Sequence, residues 1–460
     1  MESIHRNKKP KLNDEIQIRD NATSQQSCYS KDKNIVMKVE EPPNTSKEAS
    51  FLYGLYGILI IGLCVLFSSP ILLLPQHNTF ISPKYGYEGY ITGCLSFTVT
   101  FTLDTLIACK FYFKVSSMVS IQHFIRLYLV TVVIGVLIPT LAYLIWSIGL
   151  GYNPPMPFVL LLGYVQMLAQ YVTLYMSFPK SLTVDPEFRK KIRAFILSRF
   201  GVILIHIQYM TCTCLFTFFE DKQWLIAFFM PLLRELNFQM LNKILIVLPG
   251  IKDEGMNAAI VIGMNTFHAL YVAVKIGHTV SQTTSNLILA IDFILNLIGC
   301  YNIIKLHKRI TPRNFPRNSL NVREKEEQLL KLILIEILEV IVPFTYIVTV
   351  LIAYYGPNAE LLGNIRNDYW QFEAIDDIGK VVLAVLLMFA IDLCSAVIAG
   401  IALWKQCQIN FLLKACGAIK TYWTVIAVNL ANYLNHVSIH KAVAYRCYHR
   451  CRVCVLDDID

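Results

Sequence analysis

The 460-residue sequence has few charged residues and lacks the common nucleotide-binding and hydrolase signatures. Asp, Glu, Lys and Arg make up 16% of the chain, whereas a soluble domain contains about 25% charged residues. The chain has no Walker A loop, no G-x-S-x-G, no H-E-x-x-H and no Rossmann glycine pattern. ATP-driven pumping within this chain is therefore not expected, and the sequence indicates no catalytic residue, no metal site and no cofactor.

None of the thirteen cysteines falls in a predicted outer loop, so no extracellular disulfide framework is indicated. Cys447, Cys451 and Cys454 lie among arginines near the C-terminus. Their spacing could bind a metal, but no second cysteine pair completes the usual set. A basic, membrane-proximal cysteine cluster fits palmitoylation better. That modification needs a cytoplasmic tail, which ten spans would give and eleven would not.

Long apolar runs dominate the sequence. Hydrophobic residues make up 55% of the chain, and the mean hydropathy is +0.50. A helix needs about 20 apolar residues to cross a bilayer. Ten runs approach or exceed that length: 51–74, 90–113, 127–152, 157–178, 194–219, 224–249, 258–276, 286–304, 329–355 and 379–404. An eleventh run, 421–437, is shorter and contains three asparagines.

The predicted fold is all-α, a polytopic membrane helix bundle of about 10–11 transmembrane helices over residues 51–437. Residues 1–50 are polar and aperiodic, which predicts a disordered tail, and residues 438–460 form a basic, cysteine-containing tail.

The distribution of basic residues predicts the orientation of the chain. Lys and Arg concentrate in the N-terminal tail and in the links after the fourth and eighth runs, whereas alternate loops contain almost none. Topology selection produces this alternation, and it indicates a cytoplasmic N-terminus. The net charge of +9 has the same origin. The expected partners are therefore the lipid bilayer and a small solute or ion, and not nucleic acid.

Asp292 and Asp392 lie within apolar runs and share a local pattern. Each ends an Ala-Ile-Asp triplet and precedes a lysine (Lys305 and Lys405) by thirteen residues, and Asp104 has a looser version. In the predicted topology the three runs point in the same direction, so their carboxylates lie at similar depth. Carboxylates at this depth can bind a cation or a proton. Alternatively, each aspartate pairs with a buried Arg, Lys or His, or caps a neighbouring backbone, and only fixes helix packing.

Four further titratable residues are candidates for ion or proton coupling. His206 and His268 lie deep in their runs, and each could instead be a packing residue. Glu336 and Glu339 are three residues apart, so they share a helix face. This pair fits either an ion gate or the solvated start of a helix. Lys275 shares a face with His268 but lies near the end of its run, where a lysine commonly snorkels to the interface.

The longest predicted outer loop, 356–378, combines acidic and aromatic residues. Such a loop can attract a cation or an amine through Coulombic and cation–π interactions. It can also be an interfacial loop whose aromatic rings anchor at the headgroups. Its candidate ligand-binding residues are Tyr369, Trp370, Glu373 and Asp376.

The run 224–249 is unusually polar for a lipid-facing helix, since it contains Arg234, Glu235 and Asn237. We favour a span that is buried on all sides. The alternative is a broken or re-entrant element that begins near Pro231.

Together these features favour a secondary transporter of a small solute or ion, coupled to protons or cations through intramembrane carboxylates. The alternative is a multi-pass receptor or ligand-gated channel in which the outer loop meets a small extracellular ligand. A membrane-embedded enzyme that uses His206 or His268, and a scaffold without any site, also fit the sequence.

Overall fold

The computed structural model describes residues 46–73, 185–219, 222–244, 254–277, 282–309, 320–356 and 378–456, with residue 279 and single residues between 103 and 184. All of them belong to the compact unit Pro42–Asp460. The predicted runs 90–113, 127–152 and 157–178 lie outside the described residues apart from those single positions, and so does most of the N-terminal tail.

Every regular element in this part of the chain is a helix, which confirms the predicted all-α class. The eight described helices are α1 Ser46–Leu73, α2 Pro186–Phe218, α3 Gln223–Asn242, α4 Glu254–Gly277, α5 Gln282–Arg309, α6 Leu320–Tyr355, α7 Ile378–Cys407 and α8 Phe411–Leu456.

Six of these helices are long and apolar enough to cross a membrane. The spans are Ser46–Leu66, Asn257–Gly277, Thr283–Lys308, Lys325–Ile352, Ile378–Cys407 and Phe411–Leu434. Apolar helices of this length are typical of membrane spans, and water does not favour the large apolar side chains that several of them expose, such as Leu383 in α7. The chain is therefore a multi-pass membrane protein.

Helix α4 is the centre of the described bundle. Its residues from Ala258 to Ile276 are almost all buried, and it packs against α3, α5, α6, α7 and α8. A helix with apolar residues on every face is expected in such a central position, and its buried polar residues, such as His268 and Lys275, then lie inside the bundle. Four aromatic rings tie it to α2 and α8: Tyr209, Phe267, Tyr271 and Tyr433 form contacts with centroid separations of 4.6–5.1 Å.

Helices α1 and α8 pack closely, although they come from opposite ends of the described chain. The Cys64 thiol donates a hydrogen bond to the Ala427 carbonyl at 3.3 Å, and the Cys416 thiol donates one to the Ala49 carbonyl at 2.7 Å. Thiols satisfied in this way by helix carbonyls are common in apolar surroundings, where no water is present to bond them. These contacts place the start of α8 inside the bundle, and the helix that contains the predicted run 421–437 begins about three helical turns earlier, at Phe411.

A short turn joins α7 to α8. Gln408 has φ 57°, and the backbone N–H groups of Gln408 and Ile409 donate to the carbonyls of Trp404 and Leu403. This arrangement closes α7 in the manner of a left-handed C-terminal cap. The Asn410 side chain then accepts from the Leu413 N–H at 3.1 Å and caps the start of α8.

Helix α3 differs from both interpretations of run 224–249. It continues through Pro231 without a break, so the element is not broken at that residue. It is not buried on all sides either, because Phe228 and Leu232 are 60% and 54% exposed. Its polar residues lie on the face that meets the bundle, where Asn237 is buried and Arg234 is partly buried. An amphipathic helix at the edge of the described bundle accounts for both observations.

Candidate functional site

Glu336 and Glu339 lie in the middle of the membrane span Lys325–Ile352. They are 1% and 3% exposed, and α6 begins more than four turns earlier, at Leu320. The interpretation of this pair as the solvated start of a helix is therefore wrong. Both side chains face the interior of the bundle, as their spacing of three residues on one helix face allows.

Asp292 in α5 and Asp392 in α7 are also buried, at 7% and 2% exposure. Each is within its membrane span, and each is accompanied on the same face by a polar residue about one turn later, Asn296 and Ser395. The helices position these acids because α5 and α7 pack against each other and both pack against α6.

The four acids form one group. Asp292, Glu336 and Asp392 all interact electrostatically with Glu339, and Asp292 and Glu336 both interact with Asp392. We call these four residues (Asp292, Glu336, Glu339 and Asp392) the carboxylate cluster. The repeated Ala-Ile-Asp triplets therefore bring their aspartates within electrostatic range of each other, although the triplets are a hundred residues apart in sequence.

Two side chains stabilise the Glu339 end of the cluster. The Asn296 side-chain amide donates a hydrogen bond to Glu339 Oε2 at 2.6 Å. Arg234 Nη1 in α3 lies 3.7 Å from Glu339 Oε1, and the guanidinium charge also acts on Asp292. A second contact between α3 and α6 is the cation–π interaction of Lys331 with Phe238, with Nζ 3.8 Å from the ring centroid.

The rest of the cluster is poorly satisfied. Both oxygens of Glu336, Oδ1 of Asp292 and Oδ2 of Asp392 are buried without a hydrogen-bond partner among the described residues. Buried polar atoms normally have partners, and the exceptions are often positions that a missing proton, ion or water would satisfy. The interpretation in which each aspartate is neutralised by its own fixed base is not what the described contacts provide.

A charge count shows what the cluster requires. Among the described residues, Arg234 is the cation that lies against the cluster, and Lys275 of α4 is a second buried cation near Asp292. Four ionised carboxylates would therefore outnumber the nearby cations by at least two, and each uncompensated buried ion costs several kcal/mol. Binding of protons or of a further cation would relieve this cost.

His268 and Lys275 lie on one face of α4, beside the cluster. His268 Nδ1 is 3.3 Å from the Tyr209 hydroxyl. Lys275 is 2% exposed, its Nζ lies 5.3 Å from the centroid of the Phe216 ring, and it does not snorkel to the surface. His268, Lys275 and Asp292 all line one small cavity of about 20 Å³. That volume is enough for about one water molecule.

The remaining candidate residues are not brought into this site by the described part of the chain. Asp104 and the loop residues Tyr369, Trp370, Glu373 and Asp376 lie outside the described residues. His206 lies in α2, but its side chain is not described, and the same is true of the C-terminal cysteines in the last turns of α8. Among the described residues, no three His, Cys, Asp or Glu side chains are arranged to hold a metal ion.

Two members of the site, Arg234 and Asn296, were not predicted as site residues. Asn296 could have been found as the polar residue four positions after Asp292 in an otherwise apolar run, since residues at that spacing share a face. Arg234 could have been found as an arginine within an apolar run, because such residues usually have an acidic partner.

The chain matches no protein-family model, no curated protein and no solved structure.

Proposed function

We propose that this protein is a secondary transporter of a small solute or ion, coupled to protons or cations through the carboxylate cluster. The observation that carries the proposal is that four buried carboxylates from three helices lie within electrostatic range of one another in the membrane interior, with Arg234 against one of them. Intramembrane acids without fixed partners are typical of ion and proton pathways.

The cluster is suited to a binding site that holds protons at one time and another cation at the next. When protons or a cation leave, the carboxylates carry charge that the protein does not compensate, and this state is unstable until another cation arrives. Because the empty, charged site is unstable, protons or a cation leave it only when another cation replaces them, and this replacement is the physical basis of obligatory exchange. The cluster lies at the interface of α5, α6 and α7, and transporter sites commonly lie where several helices meet near the midplane.

A direct test is to detect the protons in the cluster. We expect infrared difference spectra of the purified full-length protein to contain bands of protonated carboxyl groups that titrate with pH. Glu339→Gln and Asp392→Asn should each remove part of this signal. Glu326→Gln on the same helix α6 is the matched control, because Glu326 is exposed and its substitution should leave the bands unchanged.

The second arm measures coupling. In proteoliposomes with an internal pH-sensitive dye, addition of a panel of small solutes should produce a proton flux with the wild-type protein and with Glu326→Gln. Asp392→Asn and Glu339→Gln should abolish it. If both variants fold, lack the carboxyl bands and still support the flux, the cluster is not the coupling site. If they only lower the yield of folded protein, the acids stabilise the fold and the transport proposal fails.

The receptor or channel alternative depends on the loop residues Tyr369 and Trp370, which are outside the described part of the chain. No contact among the described residues favours it over the transporter.

A further inference from the structure

A groove of about 650 Å³ runs along helix α7, between α1, α6 and the start of α8. Binding sites for small molecules typically have volumes of about 300–1,000 Å³. We call it the α7 groove. Its α7 wall extends from Leu393 to Lys405, which corresponds to about 18 Å at 1.5 Å per residue.

The wall of the α7 groove is mostly apolar, with aromatic residues at several positions. Tyr53, Trp404 and Phe411 line it together with aliphatic side chains of α6 and α7. The cationic Lys405 and the polar Asn410 lie at the end of the groove where α7 turns into α8, and the acidic Glu336 lies on the α6 wall. An apolar site with a few placed polar groups is the usual character of a small-molecule pocket.

Glu336 belongs both to the α7 groove and to the carboxylate cluster. Its two carboxylate oxygens are buried and have no hydrogen-bond partner among the described residues. The charged groups that act on it are Asp292, Glu339 and Asp392, with the Tyr53 hydroxyl and the Cys300 thiol close enough to interact. No hydrogen bond to a described residue has to be broken for this carboxylate to turn toward a ligand, and the charged groups that act on it are carboxylates.

We propose that the α7 groove binds a lipophilic organic cation, such as a protonated amine or an onium ion, whose charge is neutralised by Glu336 and whose apolar body lies along α7. This inference rests on the proposed function and names the class of solute. The acids beside Glu336 repel an anion, and the apolar and aromatic wall favours a substituted cation over a hydrated inorganic one. Arrival of the cation at Glu336 reduces the need for protons in the cluster, so the solute and protons would exchange.

The test uses two probes of nearly the same shape and opposite charge, tetraphenylphosphonium and tetraphenylborate. Binding is measured by calorimetry on the purified full-length protein in detergent. We expect tetraphenylphosphonium to bind at least about tenfold more tightly than tetraphenylborate, a difference of about 1.4 kcal/mol. Equal binding of the two probes, or binding of neither, would overturn the inference.

Two variants locate the binding site. Glu336→Gln should weaken tetraphenylphosphonium binding about tenfold or more, whereas Glu326→Gln, an exposed glutamate on the same helix, should not change it. Val397→Trp should fill the α7 groove and block the cation, while the infrared carboxyl bands remain as in the wild type. If Glu336→Gln and Val397→Trp both bind the cation normally, the groove is not its site.

The result also separates this inference from the proposed function. If the carboxyl bands and solute-driven proton flux are present but neither probe binds, the transporter proposal stands and the substrate class is wrong. If the bands are absent from the wild-type protein, the proposed function fails whatever the probes do. A co-purified phospholipid that occupies the groove equally in wild type and Glu336→Gln would show an apolar lipid site, and it would overturn the cation-binding inference.

Discussion

Arg234 Nη1 in α3 lies 3.7 Å from Glu339 Oε1 in α6. The distance is beyond that of a good hydrogen bond, and this guanidinium nitrogen has no hydrogen-bond partner among the described residues. The pair is therefore a loose ion pair within a site that contains three further acids. Arg234 can act as a tethered cation that compensates Glu339 when no mobile cation is present.

Replacement of Arg234 by Gln should destabilise the protein, because it leaves Glu339 without its counter-charge. Loss of one partner of a buried ion pair costs about 3–5 kcal/mol when the other stays charged, and less when that partner takes up a proton. We expect Arg234→Gln to lower the midpoint of thermal unfolding in detergent and to reduce solute-driven proton flux. The double variant Arg234→Gln/Glu339→Gln should be more stable than Arg234→Gln alone.

The double variant makes this prediction specific. If the stability losses of the two single variants simply add, Arg234 and Glu339 do not interact, because independent sites are additive. Glu235→Gln tests whether any charge change on α3 has the same effect. Glu235 is exposed, and its loss should change stability by less than about 0.5 kcal/mol.

The fold of the membrane helices was largely readable from the sequence. The run 379–404 lies within α7, and the run 286–304 lies within α5. Length and apolar composition are local properties, so a hydropathy argument finds such helices. The same argument failed for α3. Its polar residue Asn237 faces the bundle and its apolar residue Leu232 is exposed, and a mean hydropathy along the run does not separate the two faces.

The sequence predicted that the site lies within the membrane, but not which residues of different helices come together there. The apolar sequence around Asp292 and Asp392 shows that both acids lie within the membrane. That Glu336 and Glu339 join them depends on how α5, α6 and α7 pack, and side-chain spacing within one helix carries no information on that. The Asn296–Glu339 hydrogen bond spans 43 residues of sequence, and nothing local to either residue specifies the other.

Asn296 is expected to be important because its hydrogen bond to Glu339 is short and buried. Replacement by Leu keeps a similar volume but removes the donor, so Glu339 Oε2 loses its partner. Hydrogen bonds that involve charged groups contribute about 1.5–3 kcal/mol. We expect Asn296→Leu to lower the free energy of unfolding by that amount, measured by thermal or denaturant unfolding. Asn302, exposed on the same helix, is the control, and a loss of the same size in Asn302→Leu would contradict the prediction.

Gly277 sets a close contact between α4 and α7. A Cβ at this position would lie 2.9 Å from Val381 Cγ1, which is closer than two carbon atoms can pack. Overpacking of this kind costs about 1–3 kcal/mol, so Gly277→Ala should destabilise the protein. The second substitution Val381→Ala makes room and should recover most of the loss.

Gly62→Ala is the matched control, because nothing lies within 4 Å of its Cβ position, and it should be neutral or slightly stabilising. Equal losses in Gly277→Ala and Gly62→Ala, measured as unfolding midpoints, would show that the α4–α7 contact is not tight.

Gln408 holds a left-handed backbone conformation in the turn that ends beside the α7 groove. This conformation costs a residue with a side chain about 1–2 kcal/mol. Glycine adopts it without that cost, although glycine loses more entropy on folding. We therefore expect Gln408→Gly to stabilise the protein by up to about 1 kcal/mol, seen as a higher midpoint of thermal unfolding. Gln406 is the same residue type two positions earlier, within helix α7. Gln406→Gly should instead destabilise by about 1 kcal/mol, because glycine is a poor helix former. If both variants shift the midpoint in the same direction, the positive φ at Gln408 is not a cost to the fold.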